Sequence, residues 1–194
     1  MLDVATAAGS LLAAFGLSGA AGLNAWIPLL AVGLLSRVGQ LELADPYDAL
    51  ATTPGLIGLG VLFALDFVGD KVPAVDSVLH AAGAFVHPVA GAIAFAAPAA
   101  LPTDVSSVVL FALGATVAGS LHATRATVRP ASTTLTAGAG NPALSLAEDA
   151  ASAALSVLAV LVPILGALAL LAIVALAIRW WRRIGRRRRR RGLP

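Results

Sequence analysis

Along this chain, long apolar runs of Ala, Leu, Val and Gly are separated by short polar interruptions, with no period-two alternation that would signal strands. Residues 3–16 are apolar and lead into a glycine-rich stretch, LSGAAGLNAW, at residues 17–26. A second apolar helix is predicted over residues 23–37, with Pro28 near its start and Arg37 at its end. Residues 38–54 read as a polar loop carrying Glu42, Asp45, Pro46, Asp48 and Pro54. A third apolar segment, 55–68, ends in the charged group Asp66, Asp70 and Lys71, and Pro73 follows. Residues 75–100 begin amphipathic and turn apolar after His87-Pro88, and a fifth segment over 106–122 stops at Arg125 and Arg129. The run 143–178 is too long for one crossing, and Pro163 with Gly166 predicts a turn between two. The pattern predicts an all-α, polytopic transmembrane helix bundle of about six to seven segments.

Two glycine-rich interruptions organise that reading. Glycine costs about 1 kcal/mol against alanine in a helix, and a backbone opened inside lipid must find partners within the protein or in a water-filled cavity. The first interruption holds Gly22 and Asn24; the second, LTAGAGNPAL at residues 135–144, holds Gly140 and Asn141. Fourteen residues of helix before the first rise only about 21 Å against a hydrocarbon core of about 30 Å. That segment is expected to be a short span or a re-entrant half-helix.

The interruptions also sit in matching contexts. Residues 5–13, ATAAGSLLA, align with residues 115–123, ATVAGSLHA, and seven of the nine positions are identical. The expected plan is a single bundle over residues 1–178. Within it, a first repeat spans about 3–72, a connector 73–103 and a second repeat about 104–178, before an arginine-rich tail at 179–194. A connector that crosses once makes the halves parallel, and one that returns at His87-Pro88 makes them inverted. In either case the two breaks are expected to face each other across a pseudo-symmetric interior, as in many transporter folds.

Composition agrees with the membrane class: of the 194 residues, 59% are hydrophobic and 12% charged, against about 25% charged in a typical soluble domain. There is no cysteine, which excludes disulfides, thiolate metal sites and cysteine nucleophiles. The net charge of +3 comes from the C-terminal arginines, without which the chain is acidic. Directly after an apolar helix, Arg182, Arg183, Arg186, Arg187 and Arg188 read as a topogenic anchor that holds the C-terminus in the cytoplasm against anionic lipid headgroups, not as a nucleic-acid site. The apolar N-terminus has Asp3 where a signal peptide carries basic residues, and it reads as a retained membrane segment.

Few residues offer chemistry. Asn24 and Asn141 can bind an ion or polar solute beside open backbone, or can simply cap the following helix. Asp66 lies within an apolar run, where a carboxylate is costly and suggests function. Glu148, with Asp149 beside it, follows Asn141 by two turns and serves equally as a cation site or as a partner for Arg125 or Arg129. Asp76, His80 and His87 share a helical spacing and are weak metal candidates, since no third nitrogen or sulfur ligand lies at a recognised spacing. No nucleophile motif and no phosphate loop is present, so an enzyme is not expected and no cofactor is called for.

GLSGAAGLNAWIPLLAVGLLSRVG, VPAVDSVLHAAGAFVHPVAGAI and TTLTAGAGNPALSLAED together resemble the domain-of-unknown-function 4126 family of small bacterial integral membrane proteins. The carrying positions are Gly22, Pro28, Pro73, Asp76, Pro88, Gly140, Asn141, Pro142 and Glu148, while His80 stands where a second carboxylate is expected. The resemblance implies a multi-pass protein of the bacterial inner membrane and supplies no activity. The residues themselves suggest a small transporter or channel for an ion or small polar solute. Its binding site would comprise Gly22, Asn24, Asp66, Gly140, Asn141 and Glu148. The alternative is a non-transporting membrane subunit that binds lipid or scaffolds an envelope complex; a lipid-modifying enzyme is the third reading. Close packing of glycine and alanine surfaces in lipid favours a homodimer.

Overall fold

The computed structural model describes residues 4–70, 73–101, 105–136 and 140–190, and places seven α-helices and no strand among them. They are α1 (Val4–Leu23), α2 (Trp26–Arg37), α3 (Thr53–Gly69), α4 (Pro73–Ala96), α5 (Ser107–Thr136), α6 (Asn141–Leu161) and α7 (Pro163–Arg190), with a short 3-10 turn at Tyr47–Ala51 between α2 and α3. Stretches within α1, α5 and α6 (Thr6–Leu23, Ser107–Thr127 and Asn141–Leu161) are long and apolar enough to cross a membrane, and α2, α3 and parts of α4 and α7 are shorter apolar helices. The outward faces carry Ile57, Leu65, Phe85, Val108, Ile164 and Leu171, all exposed. An apolar exterior around a partly polar interior is the arrangement that lipid demands. The chain is a helical membrane protein.

The centre of the bundle is α1, which packs on α2, α4, α5, α6 and α7. Its glycines explain how one helix can touch so many. A Cβ at Gly16 would come within 2.6 Å of the Ala159 Cβ on α6, and one at Gly22 within 2.6 Å of the Ala118 carbonyl oxygen on α5. One at Gly19 would collide with the Leu170 side chain on α7. Small residues let helix backbones approach closely where no hydrophobic effect drives them together. The glycine stretch is therefore helical and tightly packed. The expected break over residues 17–26 shrinks to Asn24 and Ala25, and the first helix runs twenty residues, not fourteen.

Contacts order the helices by direction. Ser18 donates to the Gly114 carbonyl, and Gly22 lies against Ala118, so α1 and α5 run parallel. His87 reaches Ala21 while Phe95 stacks edge-on against Phe15, so α4 is antiparallel to α1. Ala159 meets Gly16 and Ser152 bonds Ala20, which makes α6 antiparallel as well. Of the two alternatives left open for the connector, the return at His87-Pro88 does not occur: α4 continues unbroken through Pro88. The connector is one continuous helix from Pro73 to Ala96.

At one end the loops are tied together. Arg37 Nη2 donates to Thr53 Oγ1 at 2.6 Å, the Ala44 N–H to the Ala97 carbonyl at 2.9 Å, and the Ala99 N–H to the Glu42 carbonyl at 2.9 Å. At the opposite end α1 stops at Leu23, while α4, α5 and α6 extend past it. The chain breaks between α6 and α7 at Val162-Pro163, where the sequence predicted a turn. The helix α7 continues into the arginine tail as far as Arg190.

Candidate functional site: a buried polar layer around the end of α1

Ending a helix inside a bundle leaves four carbonyls without intrahelical partners. Here side chains from neighbouring helices meet two of them, those of Ala20 and Ala21. The Ala20 carbonyl accepts from the Asn24 N–H at 3.0 Å and from Ser152 Oγ at 2.9 Å. The Ala21 carbonyl lies 2.6 Å from His87 Nδ1. Across the two-residue break, Asn24 Oδ1 accepts from the N–H groups of Trp26 and Ile27 at 2.9 and 3.2 Å, which caps α2.

The other end of the Asn24 amide faces charge. Its Nδ2 donates to Asp66 Oδ2 on α3 at 3.3 Å and to Asp149 Oδ1 on α6 at 2.9 Å. One buried amide, 3% exposed, thus bridges two carboxylates from different helices.

Beside this bridge lies an ion pair. Arg125 Nη2 donates to Glu148 Oε2 at 2.6 Å, and each side chain is only 10% exposed. Arg125 Nη1 approaches His87 Nε2 at 3.3 Å. A carbonyl can only accept, so His87 Nδ1 carries the proton towards Ala21 and Nε2 is left to accept from the guanidinium. His122 stacks on His87 with ring centroids 4.3 Å apart. One turn beyond Asp66, Asp70 Oδ2 accepts from Ser145 Oγ at 2.6 Å. The layer therefore joins α1, α3, α4, α5 and α6. It meets α4 about 14 Å short of Ala96, and α5 about 27 Å beyond Ser107.

The residues expected from sequence divide clearly. Asn24 and Asp66 come together, with Gly22 two residues before Asn24 at the α1–α5 contact. Glu148 lies in the same layer but faces Arg125, and it is Asp149 that reaches Asn24. Gly140 and Asn141 do not face the first break: α6 rises about 12 Å between Asn141 and Asp149. His87 is in the layer. The side chains of Asp76, His80, Arg129, Arg186, Arg187 and Arg188 lie outside the described residues, and Arg182 and Arg183 are exposed on α7. No group of three metal-ligating side chains occurs among the described residues. The serine stripe and His122 were missed. Ser145, Glu148, Ser152 and Ser156 recur at helical spacing on the buried face of α6, a signal present in the sequence.

Comparison with protein families places this arrangement. The model of a domain of unknown function, DUF4126, matches residues 11–183, which includes every residue named in the polar layer. The chain belongs to the DUF4126 family. No curated protein and no solved structure matches the chain.

Proposed function

We propose that this DUF4126 protein is a small membrane transporter or channel for a cation, with Asn24, Asp66 and Asp149 at its binding site. The reading rests on one observation, the single amide that holds two carboxylates from different helices together inside an apolar bundle. Ionisable groups at membrane depth are costly, and they recur where ions or protons pass. Two carboxylates a few ångströms apart repel each other, and a cation or a shared proton between them relieves that repulsion. The neighbouring Arg125–Glu148 pair and the neutral His87 then form a fixed wall beside the site. Asn24 holds both the cap of α2 and the two carboxylates, so occupancy of the site is coupled to the angle between α1 and α2.

The arginine-rich end of α7, together with Arg125, lies on the cytoplasmic side of the membrane in this reading, as the positive-inside bias favours. The compartment is a bacterial inner membrane. A non-transporting lipid-binding subunit, the alternative, conducts nothing.

Flux into proteoliposomes, read with a pH-sensitive dye and with sodium- and potassium-sensitive dyes, tests the proposal. The wild-type chain is expected to pass at least one of these cations, and Asp66→Asn and Asp149→Asn each to lower the flux tenfold or more, about the effect of 1.4 kcal/mol. A folded wild type without flux of any of the three, or variants that conduct as well as wild type, overturns it.

A further inference from the structure

A second feature lies outside the polar layer. The helices α5 and α7 both pack on α1 and leave a gap between them. Between them runs an open groove of about 680 Å³, lined by Thr116, Ser120 and Thr124 on α5 and by Leu170, Val174 and Ile178 on α7, with Arg182 at one end. The hydroxyls do not make this groove polar. Thr116 Oγ1 donates to the Ala112 carbonyl at 2.7 Å, Ser120 Oγ to Thr116 at 2.7 Å and Thr124 Oγ1 to Ser120 at 3.0 Å. Each donor is spent within its own helix, and the face turned outward is largely methyl and methylene.

The dimensions match one leaflet. From Leu170 to Arg182 the helix rises about 18 Å, against about 15 Å for half of the hydrocarbon core. Arg182 and Arg183 are exposed where the apolar part of α7 ends, which places their charge at headgroup level.

We propose that this groove is a binding site for an anionic phospholipid, one acyl chain lying between α5 and α7 and the headgroup phosphate held by Arg182. Charge decides against the other occupants. A second copy of the chain placed symmetrically over the groove brings its own Arg182 to the same end of the groove and the same depth, where the like charges repel. A polar solute finds no free donor along the walls. An anionic phospholipid satisfies both parts, since guanidinium matches phosphate geometry and the chain fills the apolar slot. This site is distinct from any diffuse attraction of the arginine tail for the membrane surface.

The test uses the full chain reconstituted in phosphatidylcholine bilayers containing a minority of phosphatidylglycerol, then extracted in mild detergent and analysed for retained lipid. Wild type is expected to keep phosphatidylglycerol in preference to phosphatidylcholine. Arg182→Gln is expected to lower that enrichment about fivefold, the effect of one arginine at an anionic surface. Ala177→Trp fills the slot and leaves every arginine in place, and it is expected to abolish the tightly held lipid. Both variants are checked for a monodisperse fold before comparison. Retention unchanged in Ala177→Trp assigns the lipid to the tail and overturns the proposal. So does disulfide-linked dimer formation by Ala177→Cys in the bilayer, a clean readout because the chain has no native cysteine.

Discussion

Replacing Arg125 by Gln removes the guanidinium from a buried charge pair and leaves Glu148, 10% exposed, facing the position it held 2.6 Å away. The same change withdraws the donor from His87 Nε2. Breaking a buried pair from one side costs about 3–5 kcal/mol, because the remaining ion stays desolvated without compensation. About 3 kcal/mol is the expected loss here, at the low end because Gln can still donate one hydrogen bond. Glu148→Gln is expected to cost a similar amount by stranding Arg125. The paired replacement Arg125→Met with Glu148→Leu is expected to cost less than either single change. The wild-type pair already carries a burden: Arg125 Nε is buried and meets no acceptor among the described residues. An unsatisfied buried donor costs about 1–3 kcal/mol, and an apolar pair of similar volume does not incur it. Reversible unfolding of the four proteins in mixed micelles, with SDS as denaturant, ranks them directly. Single-variant losses below about 1 kcal/mol, or a double variant that loses more than either single one, refute the reasoning.

Two further substitutions probe the frame around the site. Gly22→Ala places a methyl group within 2.6 Å of the Ala118 oxygen and 2.7 Å of the Leu121 Cβ, so it should cost about 1–3 kcal/mol by the same unfolding measurement. Gly58→Ala meets nothing within 4 Å and is expected to be neutral or to stabilise by up to about 1 kcal/mol; equal effects at the two positions dismiss the close-approach account. Asn24→Ala uncaps α2 and strips the shared donor from Asp66 and Asp149, with an expected loss of about 2 kcal/mol, of which Asp66→Asn in the same background should restore part. Wild-type stability in Asn24→Ala shows that the bridge does not hold these helices.

How much of this was legible in the sequence depended on whether the signal was local. Helix number and most boundaries follow from apolar run length and from Pro73 and Pro163, each of which opens a helix where its missing N–H does no harm. The glycines at 16, 19 and 22 misled because glycine has two meanings. Read along the chain they weaken a helix, and only the positions of Ala159, Leu170 and Ala118 on three other helices show that they permit contact. The same limit applies to the site. Asn24 and Asp66 each stood out alone, as polar groups in apolar surroundings. That Asp149 joins them, and Glu148 turns instead to Arg125, is decided by the 100° step between adjacent residues on α6 and by which helices flank it, Arg125 on α5 and Asn24 at the end of α1.

The position of the polar layer follows from the shortness of one hairpin. Because α2 has twelve residues, about 18 Å of rise, the turn between α1 and α2 lies at the depth of Asp149 and His87 instead of at the surface. A break at that depth opens carbonyls and N–H groups that lipid cannot satisfy, and the bundle answers with Asn24, His87 and Ser152. Those capping groups then bring ionisable side chains within reach: Asn24 draws in Asp66 and Asp149, and His87 sets Arg125 opposite Glu148. Lengthening the hairpin would move its turn out of the layer, so the backbone and the charges of this candidate site form one device and cannot be assigned separately.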